Sequence, residues 1–250
     1  MNLVSPMSDE VLRGGLSRRI SVSVYGKSIS ELTINIGRAL SSDPGYIELR
    51  LDYLRSIVGN ISRLENLKLF PNGIFTFRAR AEGGVSRVSD ETREGIILEI
   101  ISKIFPPIID IEIQTLSARP EIFNSLESKN TKLIASSHDF QKTESLHELE
   151  TLVLKAVKHY SPSVVKVVRK ANEFDDNLRM LSLYSLAEEI KPTRLVAFCS
   201  GALGVFSRIA CVSYGSPFTF ASLPGLGTAA GQLDVDSMKT ILDSLSVNQK

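Results

Sequence analysis

Val164-Val165-Lys166-Val167-Val168 is a short run of β-branched residues carrying one charge at its centre. Apolar side chains at every position, not every second one, read as a strand buried on both faces, the kind found in parallel sheets. An ammonium inside such a strand is costly to desolvate, so the lysine is expected to be pushed toward its neutral form. A neutral, desolvated lysine attacks carbonyl carbons. The competing reading is a strand-end lysine that reaches for water or pairs with a carboxylate. A second apolar segment, Ile134-Ala135-Ser136-Ser137-His138-Asp139-Phe140, shifts the balance, because it delivers a histidine at the C-terminal end of another strand.

Outward from these two, strand-like runs recur at 20–25, 46–51, 74–79, 108–113, 132–137, 164–168, 195–199 and 218–222. Helical patterns fill 30–40, 90–104, 143–160, 175–190 and 236–245, with Ser89 or Asp90 placed to cap the second and Lys191-Pro192 to stop the fourth. Strands alternating with helices predict a parallel sheet. Eight such units in 250 residues predict an α/β fold closed as a single-domain (β/α)8 barrel, with residues 19–250 forming the barrel and 1–18 a tail or cap. The absence of GxGxxG after the first strand argues against a dinucleotide fold.

The composition is 43% hydrophobic and 23% charged, with a net charge of +1. Nothing in it calls for nucleic acid or a membrane surface as partner. MNLVSPMSDEVLRGG lacks the apolar centre of a signal peptide. Cys199 and Cys211 sit in apolar surroundings with no histidine cluster, which fits reduced thiols, a cytoplasmic protein and no zinc site.

Polar residues gather at predicted strand ends, where barrels of this kind place their chemistry. Glu48, Arg50 and Asp52 alternate in IELRLDY, and Asp110 and Glu112 alternate in IIDIEIQ. Both sets also fit structural ion pairs. His147 and His159 are expected at a helix surface, and Glu144, Glu148 and Glu150 on a solvated helix face. Arg169 and Lys170 are expected either to repel charge from Lys166 or to be exposed. The chemistry open to a buried lysine with a histidine and an arginine is that of a Schiff-base lyase on a hydroxy-keto acid. The amine forms an iminium, the histidine moves the proton of the adjacent C–H, and the arginine holds a carboxylate. Dehydration and aldol cleavage share these groups, and the residues alone leave both open.

The segments Val22-Ser23, IELRLDY, FTFRARAEGG, IDIEIQ, SSHDF, VVKVV, GVFSR, GSPFTF and TAAGQLDV resemble, in order, the motifs of type I 3-dehydroquinate dehydratases. The resemblance covers nearly the whole chain after residue 20. It implies a (β/α)8 barrel acting as a homodimer on the small molecule 3-dehydroquinate, with no cofactor and no metal. It implies Lys166 as the Schiff-base lysine, His138 as proton shuttle and Glu82 as the carboxylate that orients the histidine. Ser23, Glu48, Arg50 and Arg78 match substrate-contact and site-electrostatics positions. Arg208 matches the carboxylate clamp, and Thr228 and Gln232 a loop that closes over substrate. Phe198 and Ser200 stand where the family often has methionines. Ala-Ala-Gly-Gln replaces a frequent Ala-Pro-Gly-Gln, Thr228 stands where Ser is common, and the 220–232 loop is one residue longer than in familiar bacterial members. Two other readings remain: a class I aldolase, with the Gly225–Gly227 turn as phosphate site, and a non-catalytic quinate-binding module.

Overall fold

In the computed structural model, which describes residues 15–69, 72–127 and 129–246, eight strands all run parallel. They are β1 (Ile20–Val24), β2 (Tyr46–Arg50), β3 (Gly73–Thr76), β4 (Ile108–Glu112), β5 (Lys132–Asp139), β6 (Val164–Lys170), β7 (Arg194–Ser200) and β8 (Thr219–Ser222). Hydrogen bonding follows the order β7-β6-β5-β4-β3-β2-β1-β8, so each strand lies beside its sequence neighbours and β8 returns to β1. The Phe198 ring on β7 and the Phe220 ring on β8 meet at 6.1 Å between centroids, bringing the two ends of that order together into a nearly closed barrel. Helices α1 (Ile29–Leu40), α2 (Asp90–Glu99), α3 (Ile113–Ala118), α4 (Pro120–Glu127), α5 (Leu146–Tyr160), α6 (Asp175–Ser182), α7 (Val205–Ala210) and α8 (Val235–Ser246) lie in the connections and after the last strand.

The reading of β6 as a doubly buried strand holds: every residue from Val164 to Arg169 is buried. In a parallel ladder, partners across the sheet point to the same face, so the register sets what surrounds Lys166. Ser23 pairs with Glu48, Arg50 with Thr76, Thr76 with Asp110, Glu112 with Ser136, Ser136 with Lys166, and Val168 with Phe198. A polar belt therefore runs round the inside of the barrel near the C-terminal strand ends.

Several boundaries differ from the expectation. The 74–79 run leaves the ladder after Thr76, because the Ala79 amide donates to the Glu112 carboxylate (2.9 Å) and Arg80–Glu82 make a 3-10 turn. The 90–104 pattern is α-helical only to Glu99 and continues as a π-helical turn, Ile100–Ile104. The 143–160 helix starts at Leu146, since Ser145 and Glu148 form a reciprocal capping box. The 175–190 pattern tightens into a 3-10 segment, Leu183–Ala187, after Ser182. Of the expected segment 1–18, residues 1–14 lie outside the described residues. Leu16–Arg18 form a 3-10 turn with Leu16 buried and its amide directed at Ser246 Oγ (3.4 Å).

The expected solvated glutamate face holds at Glu148, which is exposed, and is corrected at Glu144. Glu144 accepts a hydrogen bond from Arg169 Nε at 2.6 Å, and Glu148 belongs to the helix cap. Arg169 is buried and donates to the Ser137 carbonyl and hydroxyl as well, so its side chain is spent on the outer side of the sheet. Lys170 is exposed. No helix among the described residues is long and apolar enough to cross a membrane.

Candidate active site

A cavity opens at the C-terminal ends of the strands, and all ten residues singled out from the sequence line it. They are Ser23, Glu48, Arg50, Arg78, Glu82, His138, Lys166, Arg208, Thr228 and Gln232. Gly83, Phe140, Val168, Phe198, Ser200, Phe220 and Ala229 complete the wall.

Lys166 is not a lone charge among valines. Its Nζ lies 2.9 Å from Asp110 Oδ2 and 3.6 Å from Glu48 Oε1, and 4.1 Å from the centre of the Phe220 ring. Pairing with a carboxylate, one of the readings open from the sequence, is thus what the structure has, and the reason is the register: β4 and β2 direct carboxylates into the same belt. Asp110 is shared, since its Oδ2 also meets Arg78 Nη2 at 2.8 Å and its Oδ1 accepts from Ser136 Oγ at 2.6 Å. Burial would raise the Asp110 carboxyl, but Arg78 and Lys166 outweigh it and hold it well below the usual range. Burial acts the same way on Glu48, and Lys166 and Arg50 again win, leaving its pKa lowered. Glu48 accepts from Ser23 Oγ (2.6 Å) and Thr76 Oγ1 (3.1 Å).

Arg78 is fully committed to acids: Asp110, and Glu112 at 3.0 Å, with Ser136 Oγ at 2.8 Å. Burial would lower its pKa, and these carboxylates raise it instead. Arg50 grips Asp52 through two hydrogen bonds of 2.8 Å, and Asp52 also accepts from the Val85 amide. Asp52 is a fixed anchor for Arg50 and does not line the cavity.

His138 leaves β5 with its Nδ1 2.9 Å from Glu82 Oε2, and its backbone amide donates to the same oxygen at 2.9 Å. Burial first, then Arg78 and Lys166, lowers the His138 pKa well below its ordinary value, so the free site holds a neutral imidazole. Glu82 moves the other way: burial raises it to about 7. When Glu82 is ionised, Nδ1–H donates to it and Nε2 is left as a base.

Arg208, on α7, is different from the other cations here. It is 2% exposed, and its Nε and Nη2 have no hydrogen-bond partner. Burial lowers its pKa to about 10. A desolvated guanidinium with free in-plane donors suits a carboxylate. Opposite, Gln232 Oε1 accepts from the Thr228 amide (2.9 Å) and hydroxyl (3.0 Å), and its Nε2 lies 3.5 Å from Ser23 Oγ. The 228–232 loop is pinned to the β7 exit, where the Gly201 amide donates to the Ala230 carbonyl at 3.1 Å.

A family model, type I 3-dehydroquinase, matches residues 20–249 of this sequence. The chain belongs to the type I 3-dehydroquinase family. Among its relatives, the 3-dehydroquinate dehydratase of Pyrobaculum aerophilum is 37% identical over 85% of this chain and 67% of its own length. That of Thermococcus onnurineus is 34% identical over 81% of this chain and 88% of its own. A crystal structure of 3-dehydroquinate dehydratase from Geobacillus kaustophilus HTA426 shares the fold with a TM-score of 0.84 and 22% identity, covering 95% of this chain and 93% of that one. The expected barrel is therefore borne out, as is the type I 3-dehydroquinase resemblance.

Sequence reasoning missed four contributors. Asp110 reads from the sequence as a member of a structural ion pair, and its contact with Lys166 needs the alignment of three strands. Ser136, Phe220 and Arg93 went unnoticed. Arg93 is buried on α2 and holds Glu112 Oε2 at 3.0 Å, which steadies the acid that clamps Arg78. Its place in a helical pattern gave no signal of that inward reach.

Proposed function

We propose that this chain converts 3-dehydroquinate to 3-dehydroshikimate through a Schiff base on Lys166. One observation carries the reading: Lys166 and His138 open into one cavity, with Glu82 behind the histidine and an unpaired Arg208 in the same wall. Arg208 takes the substrate carboxylate, and the ketone meets Lys166. The ammonium must first shed a proton. Asp110 and Glu48 are held too low to accept it near neutrality, whereas Glu82, raised to about 7, can.

The amine then adds to the ketone carbon, and the former carbonyl oxygen leaves as water to give an iminium. The positive nitrogen acidifies the adjacent C–H, and His138 Nε2 takes that proton, with Glu82 supporting the imidazolium that forms. The electrons rest as an enamine, then expel the β-hydroxyl, to which His138 returns its proton. One further water hydrolyses the conjugated iminium and frees Lys166. The water consumed here balances the one lost on imine formation, so the net change is loss of one water. Ser23, Glu48 and Arg50 face the ring hydroxyls, Arg78 fixes the local field, and Thr228 and Gln232 cover the substrate.

The aldolase alternative finds less support, because the cavity loop is 228–232 and the Gly225–Gly227 turn does not line it. Homodimeric assembly is proposed from the family resemblance, and a cytoplasmic location from the two buried free thiols. The test is turnover of 3-dehydroquinate by the purified chain and by Lys166→Ala. The wild type should form the conjugated product, and the variant should form none; a variant with normal turnover overturns the mechanism.

A further inference from the structure

We infer that Phe198 is a positioning residue for the anion-binding arginine, holding Arg208 by its flat face so that its N–H edge stays free for a carboxylate. The inference rests on the reading of Arg208 given above.

The contrast among the buried arginines carries the argument. Arg50 is held by Asp52, Arg78 by Asp110 and Glu112, Arg93 by Glu112 and Arg169 by Glu144. Arg208 is buried as deeply, yet among the described residues no carboxylate lies within salt-bridge distance of it. Its guanidinium carbon sits instead 4.5 Å from the centre of the Phe198 ring. A ring face attracts a cation through its quadrupole without using any N–H donor. An acid in the same place would have consumed two donors and cancelled the charge. The ring thus keeps a desolvated cation in place while leaving Nε and Nη2 unpartnered.

Phe198 is itself held. It is 2% exposed, it pairs in register with Val168 on β6, and its ring packs at a tilt against Phe220. The Phe220 face in turn sits beneath Lys166 Nζ. Two touching rings therefore carry the two cations that receive the two ends of the substrate, and the ring pair sets their spacing. A flexible or aliphatic side chain at 198 would fill the volume but would supply no negative face.

The experiment replaces Phe198 in the full-length chain by 4-fluoro-, 3,5-difluoro- and 3,4,5-trifluorophenylalanine. These rings keep nearly the same shape and lose the negative face stepwise. Affinity is measured for 3-dehydroshikimate and for its primary amide, which lacks the anionic group. Carboxylate affinity should fall stepwise, by roughly threefold to thirtyfold across the series, while amide affinity stays level and KM rises more than kcat falls. Carboxylate affinity that stays flat or rises, or an amide that weakens in parallel, overturns the role given to Phe198. A wild-type protein that fails to prefer the carboxylate over the amide would instead overturn the reading of Arg208 itself.

Discussion

Replacing Glu82 by Gln keeps the shape of the side chain and its acceptor oxygen while removing a charge that the fold tolerates poorly. Glu82 is 8% exposed, and burial moves its carboxyl from the ordinary 4.5 to about 7. A carboxyl whose folded pKa is raised binds its proton more firmly in the folded state than in the unfolded chain. Its contribution to stability is therefore greatest below the unfolded pKa and is lost as pH rises through 7. At about 1.4 kcal/mol per tenfold, the full penalty above neutrality is about 3 kcal/mol, of which about 2 kcal/mol accrues between pH 5.5 and 8.5. His138 titrates in both proteins and largely cancels from the comparison. Urea denaturation of wild type and Glu82→Gln at these two pH values should show the variant gaining about 2 kcal/mol relative to wild type at the higher one. The acid limb of kcat/KM near pH 7 should flatten as well, because ionised Glu82 is what leaves His138 Nε2 unprotonated. Parallel stability curves and an unchanged acid limb would refute a Glu82 that titrates near neutrality against the histidine.

His138→Ala should still form the trapped imine, slowly, while kcat falls on the order of a hundredfold or more; unchanged kcat with a raised KM would make His138 a binding residue. Arg208→Ala should weaken 3-dehydroshikimate binding by about 2–5 kcal/mol, measured by titration calorimetry, and a negligible loss would remove the carboxylate from that side of the cavity. Gly231 has φ +71, and a Cβ there would lie 2.1 Å from the Gly201 carbonyl oxygen. Gly231→Ala should therefore lift the 228–232 loop, raise KM on the order of tenfold and speed proteolytic nicking there. Nicking of the wild type should slow with product, and a loop cleaved equally in all cases would not be a cover for the site.

The strands were legible because their β-branched runs are apolar on both faces, as β6 shows from Val164 to Val168. Their polar interruptions marked the cavity for the same reason: a charge in such a run has few places to go except the barrel mouth. Contacts between strands were not legible. Asp110 and Glu48 could be seen to alternate within their own strands, but their approach to Lys166 depends on the Thr76–Asp110 and Ser136–Lys166 register. Glu144 looked like a solvated charge because the sequence does not show that Arg169 lies beneath it. The short helices α3, α4 and α7, of six to eight residues, are too brief for an apolar period to declare itself. The electrostatic sense of the His138–Glu82 pair was also hidden, since it is set first by burial of both groups and, for His138, then by Arg78 and Lys166.

The most direct measurement is reduction of the protein with sodium borohydride in the presence of 3-dehydroquinate, followed by mass analysis of the digested chain. An adduct formed on the Lys166 imine should appear on the peptide carrying Val164-Val165-Lys166-Val167-Val168 and be absent from Lys166→Ala. Turnover with no adduct at all, or an adduct on any other lysine, would contradict covalent catalysis at Lys166.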